Sequence, residues 1–446
     1  FVRNLFNGER TYNNGSHRIR SPVFGMGNRA VGMAAWALFP LLLRIHHVSH
    51  LLLSRRLLSD AGPGHRPPEP HLHASRQIHL GSYVTYCGLA QYTNIIGTSI
   101  GYTITSAISF GAVLKAICFH KNGHDARCHE QTTLYMAIFA ALQVFISQIP
   151  NFHNLSGLSI VAAVMSFSYS TIGFGLSVAK VLGGSHPKTT LTGAVPGINL
   201  TTTEKVARTF QAIGNIGFSY AFSPVLIEIQ DTLKSSPPEN KVMKKATVYG
   251  IATTTLFYAL CGCFGYLAFG NDAPGNFLTG FGFYEPYWLI CIANLCIVIH
   301  LVGAYQVFSQ PFFHLVEKTS KEKFPNSDFV GRTYTVNVPL VGAVKLNWFR
   351  VVWRTLYVGC TALVAMIFPF FNDILGLIGA VSFWPLTVYF PIKMHIKREG
   401  IRRFSLKWVY LYSIVVACLV ACAAAVCGSL YGIARSFSHI RPFHAD

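Results

Sequence analysis

Residues 210–232 read FQAIGNIGFSYAFSPVLIEIQDT. Most of this stretch is apolar enough to lie in a bilayer, yet Gly214, Asn215, Gly217, Ser219, Ser223 and Pro224 fall within about three helical turns. In hydrocarbon every backbone N–H and C=O needs an internal partner, so a helix is interrupted there only where the freed groups line a cavity or bind something. Gly214 and Gly217 permit unwinding. Asn215, Ser219 and Ser223 set polar side chains beside it. Pro224 lacks an N–H, and its fixed φ suits the first turn of a second half-helix, an end that favours a carboxylate. Secondary transporters hold substrate and coupling ion at such broken helices near the midplane. The competing reading is a kinked helix whose small residues serve close packing. The first reading expects the hydrogen-bond ladder to open near Asn215; the second expects it closed.

The rest of the chain supports a membrane setting. Its 446 residues are 51% hydrophobic and only 12% charged, where a soluble domain is about a quarter charged. Mean hydropathy is +0.40. From about residue 81, nine candidate spans recur: 81–117, 132–149, 156–183, 205–228, 246–269, 286–313, 349–370, 374–394 and 407–434. The first is long enough to tilt strongly or to project past the membrane. The second stops at Pro150, as an X-Pro boundary predicts. The net charge of +19 does not indicate nucleic acid, because the basic residues lie between apolar runs.

Lys and Arg divide between alternate loops. Loop 229–245 carries Lys234, Lys241, Lys244 and Lys245; loop 314–348 carries Lys318, Lys321, Lys323, Arg332 and Lys345; loop 393–407 carries Lys393, Lys397, Arg398, Arg402, Arg403 and Lys407. The intervening loops are poor in both. The positive-inside rule therefore expects the basic loops to be cytoplasmic. Loop 118–131 then faces an oxidising space, which favours a disulfide between Cys118 and Cys128. The sequon Asn199-Leu200-Thr201 faces the same side and is a glycosylation candidate, whereas Asn154-Leu155-Ser156 faces inside. Most other cysteines sit in apolar runs, where they act as small hydrophobes.

Residues 1–80 form a different segment, with ten Arg, no Lys, eight His and the run GPGHRPPEP. Its apolar piece, VGMAAWALFPLLLRIHHVSHLLL, contains Pro40, Arg44, His46, His47 and His50. An arginine at mid-bilayer costs at least a few kcal/mol, so this piece is a poor span. HHVSH at 46–50 and HLH at 71–73 have ligand-like spacings, but no matching Cys or carboxylate set accompanies them, and no metal site is expected.

FQAIGNIGFSYAFSPVLIEIQDTLKSSPPENKVMKKAT closely resembles the plant amino acid permeases of the amino acid/auxin permease family. So do GYTITSAISF, VAAVMSFSYSTIGFGLSVAKV, FYALCGCFGYLAFGNDAPGNFLTGFGFYEPYWLICIANLCIVIHLVGAYQVFSQP and LGLIGAVSFWPLTVYFPIKMHI. The likeness runs in family order from about residue 81 to the C-terminus. It implies an all-α polytopic membrane protein, with two inverted five-helix repeats (5+5) and an extra C-terminal helix, importing amino acids across the plasma membrane on the proton gradient. On that alignment the nine spans are the third to eleventh helices, and 205–228 is the first helix of the second repeat. The family's first helix, also broken, should stand in residues 1–80. SPVFGMGNRAVGMAAW stands there instead, and its Gly25-Met26-Gly27 is read as coincidence. The first one or two helices are thus expected to be lost or replaced, by an out-of-frame reading or a mispredicted exon.

The expected substrate site gathers around Gly214, Asn215, Gly217 and Ser219, with Phe218 beside the break. His300, in LCIVIHLVGAYQ, lies deep in an apolar run. It is either the proton-coupling group or a neutral histidine bonded across helices. Tyr102, in IGTSIGYTIT, lies on the long third family helix, which faces the substrate carboxylate in related folds; the alternative is packing. Asn294 would bond substrate or another helix. Glu228 and Asp231, closing the sixth helix, read as solvated interface charges or a gate. No nucleotide loop, nucleophile elbow or zinc-protease signature appears, so no enzyme and no cofactor are expected, only a proton as coupling ion. The partners expected are an amino acid and the lipid bilayer. The alternative is a remnant or sensor that keeps the permease scaffold but lacks the first-helix half of the site.

Overall fold

The computed structural model describes residues 84–128, 131–148, 156–184, 201–223, 239–283, 286–338, 342–368 and 371–437, with single positions between them. Residues 1–83, including the whole Arg- and His-rich segment, lie outside the described residues, as do Asn199, Pro224, Glu228 and Asp231. Ten helices carry the fold: α1 (Val84–Asn122), α2 (Thr132–Ser147), α3 (Ser156–Leu182), α4 (Thr202–Ser219), α5 (Glu239–Phe269), α6 (Tyr287–Lys323), α7 (Trp348–Ile367), α8 (Phe371–Phe383), α9 (Phe390–Arg398) and α10 (Leu406–Phe437). Each expected span coincides with a helix. The eighth, 374–394, is divided into α8 and α9 by a π-helical segment, Trp384–Tyr389. Seven stretches are long and apolar enough to cross a membrane, and α2 is a shorter apolar helix. The chain is a polytopic helical membrane protein.

Local chemistry sets the ends. Thr201 and Glu204 have the T-x-x-E spacing of a capping box, and the Thr201 hydroxyl accepts the Glu204 N–H at 3.2 Å to start α4. Asn347 does the same for α7, accepting from Arg350 N at 2.9 Å. With 39 residues, α1 extends about 58 Å at 1.5 Å per residue, roughly twice the hydrocarbon thickness. Tilt or projection follows. The one feature outside the helical expectation is an antiparallel hairpin in the basic loop 314–348. Its strands β1 (Tyr334–Val338) and β2 (Gly342–Leu346) pair Tyr334 with Leu346 and Val338 with Gly342.

The helices form two packed groups. In one, α1 packs on α2, α6 and α7, α6 packs on α3, and α3 on α5; in the other, α4, α8 and α10 pack mutually, and α8 joins the groups through α1. The first group holds an aromatic core of Phe139, Leu301, Tyr305, Phe313, Tyr357 and Val358. Hydroxyls in it are satisfied in place: Ser99 meets Tyr357 Oη at 2.8 Å and Ser309 Oγ at 3.2 Å, and Tyr305 meets Thr361 at 2.9 Å. The second group is glued by small residues. A Cβ added at Gly214 would stand 3.1 Å from Gly376 Cα and closer still to the Gly376 carbonyl, and one at Gly379 would stand 2.6 Å from Phe218 N. Backbones that close require glycine on both sides.

Ionic ties secure both ends of the bundle. On the side of the basic loops, Arg354 is fully buried, donates from Nε to Glu317 at 2.7 Å and to the Ser147 carbonyl, and lies 4.9 Å over the Phe313 ring. This joins α7 to α6 and α2. On the far side, the buried Glu204 pairs with Arg208 and with Arg435, joining α4 to α10.

Candidate functional site

The interruption in 205–228 is present, but it does not lie where the glycines suggest. α4 is wound through Gly214, Asn215, Gly217 and Phe218 and ends at Ser219. The expectation that Gly214 and Gly217 open the ladder near Asn215 is corrected. Their missing side chains admit Gly376 and Gly379 of α8, which is the close-packing reading. The irregular stretch is Tyr220–Phe222, directly after α4. There the amides turn to nearer carbonyls: Tyr220 N to Gly217 O at 3.3 Å, Ala221 N to Phe218 O at 2.9 Å, and Val225 N to Phe222 O at 3.2 Å. The Ser219 carbonyl, deprived of its α-helical donor, accepts from the Tyr258 hydroxyl at 3.4 Å. Ser219 itself turns its hydroxyl back to the Asn215 carbonyl at 3.0 Å.

A second irregular segment faces this one. In Trp384–Tyr389 the Phe390 N–H reaches Pro385 O, a five-residue step. Pro385 has no N–H and Pro391 removes another, so the α-ladder is depleted at both edges of the segment. Ser223 Oγ lies 3.3 Å from Thr387 Oγ1, so the two interruptions touch. Trp384 Nε1 anchors the π segment to the Val415 carbonyl of α10 at 3.0 Å, and one turn before it Ser382 accepts from Asn94 Nδ2 of α1 at 2.8 Å. The contact of the α4 end with an irregular segment inside the apolar stretch Asp373–Lys397 concentrates backbone polarity there.

Tyrosines line the approach. Tyr258 of α5 is 47% exposed although its hydroxyl caps the break, and Ser219 is exposed beside it. Tyr220 packs edge-on to Tyr258 at 5.7 Å and bonds Thr255 at 2.8 Å. Tyr102 of α1 sits edge-on to Phe308 at 5.8 Å. Tyr169 of α3 in turn meets the His300 ring at 5.9 Å. His300 Nδ1 lies 2.9 Å from the Ala162 carbonyl and 2.8 Å from Ser166 Oγ. A carbonyl only accepts, so Nδ1 carries the hydrogen and Nε2 is the basic nitrogen. Tyr220 and Tyr258 thus pair at the break, and Tyr169 pairs with His300.

The expected site residues are sorted by these contacts. Ser219 lies at the break, Tyr102 lies against Phe308, and His300 lies beside Tyr169. Gly214, Gly217 and Phe218 belong to the α4–α8 contact. Asn294 is fully buried near the start of α6, donates to Ile290 O at 2.9 Å and accepts from Asn276 Nδ2 at 3.3 Å, which ties it to the 270–285 loop. Cys118 and Cys128 are joined by a disulfide with Cα atoms 6.1 Å apart, on the far side. No group of three His, Cys, Asp or Glu able to hold a metal occurs among the described residues. The π segment, Tyr220, Tyr258 and Tyr169 were not foreseen. Two prolines within one apolar span, in FWPLTVYFP, are the signal in the sequence that points to the first of these.

Comparison with known proteins supplies what geometry alone does not. Residues 71–435 match the family of transmembrane amino acid transporter proteins. The chain is 52% identical to Amino acid permease 6 of Arabidopsis thaliana over 98% of its own length and 92% of that protein. It is 57% identical to Amino acid permease 8 over 81% of its length and 76% of that protein, and 56% to Amino acid permease 1 over 81% and 75%. It is also 31% identical to Lysine histidine transporter-like 6 of the same plant, over 77% of its length and 72% of that protein.

Proposed function

Since this chain belongs to the family of transmembrane amino acid transporter proteins, we propose that it carries amino acids across the plasma membrane, inward and together with protons. Membership makes it a transporter rather than an enzyme. The observation that carries the reading is the paired interruption, Tyr220–Phe222 against Trp384–Tyr389, with Ser219 and Tyr258 on the surface beside it. An amino acid brings a carboxylate and an ammonium group. The amides and carbonyls after Ser219, held by short-range bonds in place of the α-helical ladder, would exchange those partners for the two groups when an amino acid binds. Tyr102, Ser219 and Tyr258 line this site. The hinge is the contact of the α4 break with the π segment, about which one group of helices rocks against the other.

His300 is the side chain this reading assigns to the coupled proton. Its Nδ1–H is held by Ala162 O, which leaves Nε2 to take and release a proton beside Tyr169. The experiment is uptake of labelled amino acids by yeast lacking its own amino acid permeases. Cells expressing the chain should accumulate label, more at acid than at neutral external pH. His300→Phe should lose most of the proton-driven accumulation. Failure of the unaltered chain to accumulate any amino acid, while present at the surface, would overturn the transport reading and favour the remnant. Normal accumulation and pH response in His300→Phe would remove the histidine from it.

A further inference from the structure

Asp373 stands at the start of α8 on the far side, where α4, α8 and α10 meet. Its Oδ1 accepts from Gln211 Nε2 of α4, and its Oδ2 accepts from Ser436 Oγ of α10 at 3.0 Å. Both donors are neutral. The cations nearby, Arg208 and Arg435, both pair with Glu204. The charged groups facing Asp373 are therefore Arg208 and Glu204 from α4 and Arg435 from α10. α1, which also packs on α8, has no charged residue before Lys115. Gly432 of α10 makes room for the carboxylate, for a Cβ there would stand 3.0 Å from Asp373 Cγ.

The carboxylate is also the outer end of a polar track. Gln211, Asn215 and Ser219 follow at four-residue intervals down one face of α4, the spacing of neighbours on a helix surface. One turn inward from Asp373, a Cβ at Gly376 would stand 2.7 Å from Ser429 Oγ and 3.2 Å from Asn215 Oδ1. Ser429 is fully buried, and neither its hydroxyl nor Asn215 Oδ1 has a hydrogen-bond partner among the described residues. Buried, unpartnered oxygens are costly. Two of them converging between a carboxylate and a broken helix mark a line along which a polar species passes.

We propose that Asp373 takes up the coupled proton on the far side, and that Gln211 reports its charge state to α4 and so to the break at Tyr220–Phe222. This rests on the proton-coupled transport proposed above. Ionised, Asp373 holds α4 through Gln211 and α10 through Ser436 with charge-assisted bonds. A proton from water on the far side neutralises it, converts one acceptor oxygen to a donor, and weakens the bonds that hold the three helices together at that end. Release of the proton on the other side restores them. Gln211 is a positioning residue; the proton-binding group is the carboxylate.

The test is uptake against external pH, from about 5 to about 8, a window that brackets titration of a buried carboxylate. Surface amounts are measured by biotinylation. The unaltered chain should lose uptake as the pH rises. Asp373→Asn, which cannot ionise, should vary by less than about twofold across the window and should not accumulate amino acid against its gradient. It should still exchange external for preloaded amino acid. Ser436→Ala removes a donor that favours the ionised form, and its uptake profile should move to higher pH by about one unit. A surface-expressed Asp373→Asn that keeps the ordinary pH profile, or that has lost exchange as well, overturns the proposal; so does an unmoved profile in Ser436→Ala. Absence of uptake by the unaltered chain overturns the transport reading itself, and this proposal with it.

Discussion

Arg354 shows how a charge survives inside a membrane protein. Only 1% of it is exposed, and its guanidinium spends its donors on the Glu317 carboxylate and the Ser147 carbonyl while its face lies on Phe313. Such a pair adds little net stability over a hydrophobic one, because desolvation opposes attraction. Removing one member is another matter, since it strands the other. Glu317→Gln should therefore lower stability by about 3–5 kcal/mol, and Arg354→Met, which strands no buried cation, should cost less. Thermal unfolding in detergent, followed by the fraction remaining monodisperse, measures the difference. Equal midpoints for Glu317→Gln and the unaltered chain would show that the tie does not hold α6 to α7. Arg350, 3.6 Å from the same carboxylate, still pairs Glu317 in Arg354→Met. At this scale, local sequence said little: Glu317, Arg354 and Ser147 are far apart in the chain, and nothing around each marks it as one corner of a triangle.

At the scale of elements, glycine decides between two uses. Gly214 faces the Gly376 backbone, so an added methyl has nothing flexible to displace and must push α4 from α8. Gly250, on α5, has open space where its Cβ would be. Gly214→Ala should cost about 1–3 kcal/mol as overpacking does, whereas Gly250→Ala should stabilise by about 0.5–1 kcal/mol through helix propensity. Paired unfolding midpoints in detergent check both signs; a harmless Gly214→Ala would mean the α4–α8 contact is loose. The same comparison explains what could be read in advance. Hydropathy located nine helices, since length and apolarity are local properties. The interruption after Ser219 was legible as an excess of helix-weakening residues. Its position was not, because a glycine that unwinds and a glycine that packs look alike until the partner helix is known. The hairpin at Tyr334–Leu346 was passed over because a basic loop was read only for its charge. The tyrosines of the site come from four segments, and no local pattern gathers them.

Taken whole, the molecule is tied differently at its two faces. The basic side is closed by Arg354 and Glu317 across α2, α6 and α7; the far side is closed by Glu204, Arg435 and Asp373 across α4, α8 and α10. The two irregular segments lie between and belong to the α4–α8–α10 group. A proton arriving from outside can loosen the second tie first only if the far side is the outer one. The described parts of the Lys- and Arg-rich loops 314–348 and 393–407 emerge opposite it, which is the side the positive-inside rule would make cytoplasmic. The Cys118–Cys128 disulfide emerges on the far side, in keeping with an oxidising exterior. Orientation can be measured from those two cysteines. In intact cells treated with a reductant that does not cross the membrane, a large impermeant maleimide should add two tags per chain. Without reductant it should add none at these positions, and the Cys118→Ser/Cys128→Ser double variant should gain none under either condition. Tagging that requires permeabilised cells would place the disulfide inside and invert the molecule. Asp373 would then face the cytoplasm, and the proton would have to be taken up at the opposite end of the bundle, where the fixed pair of Arg354 and Glu317 stands.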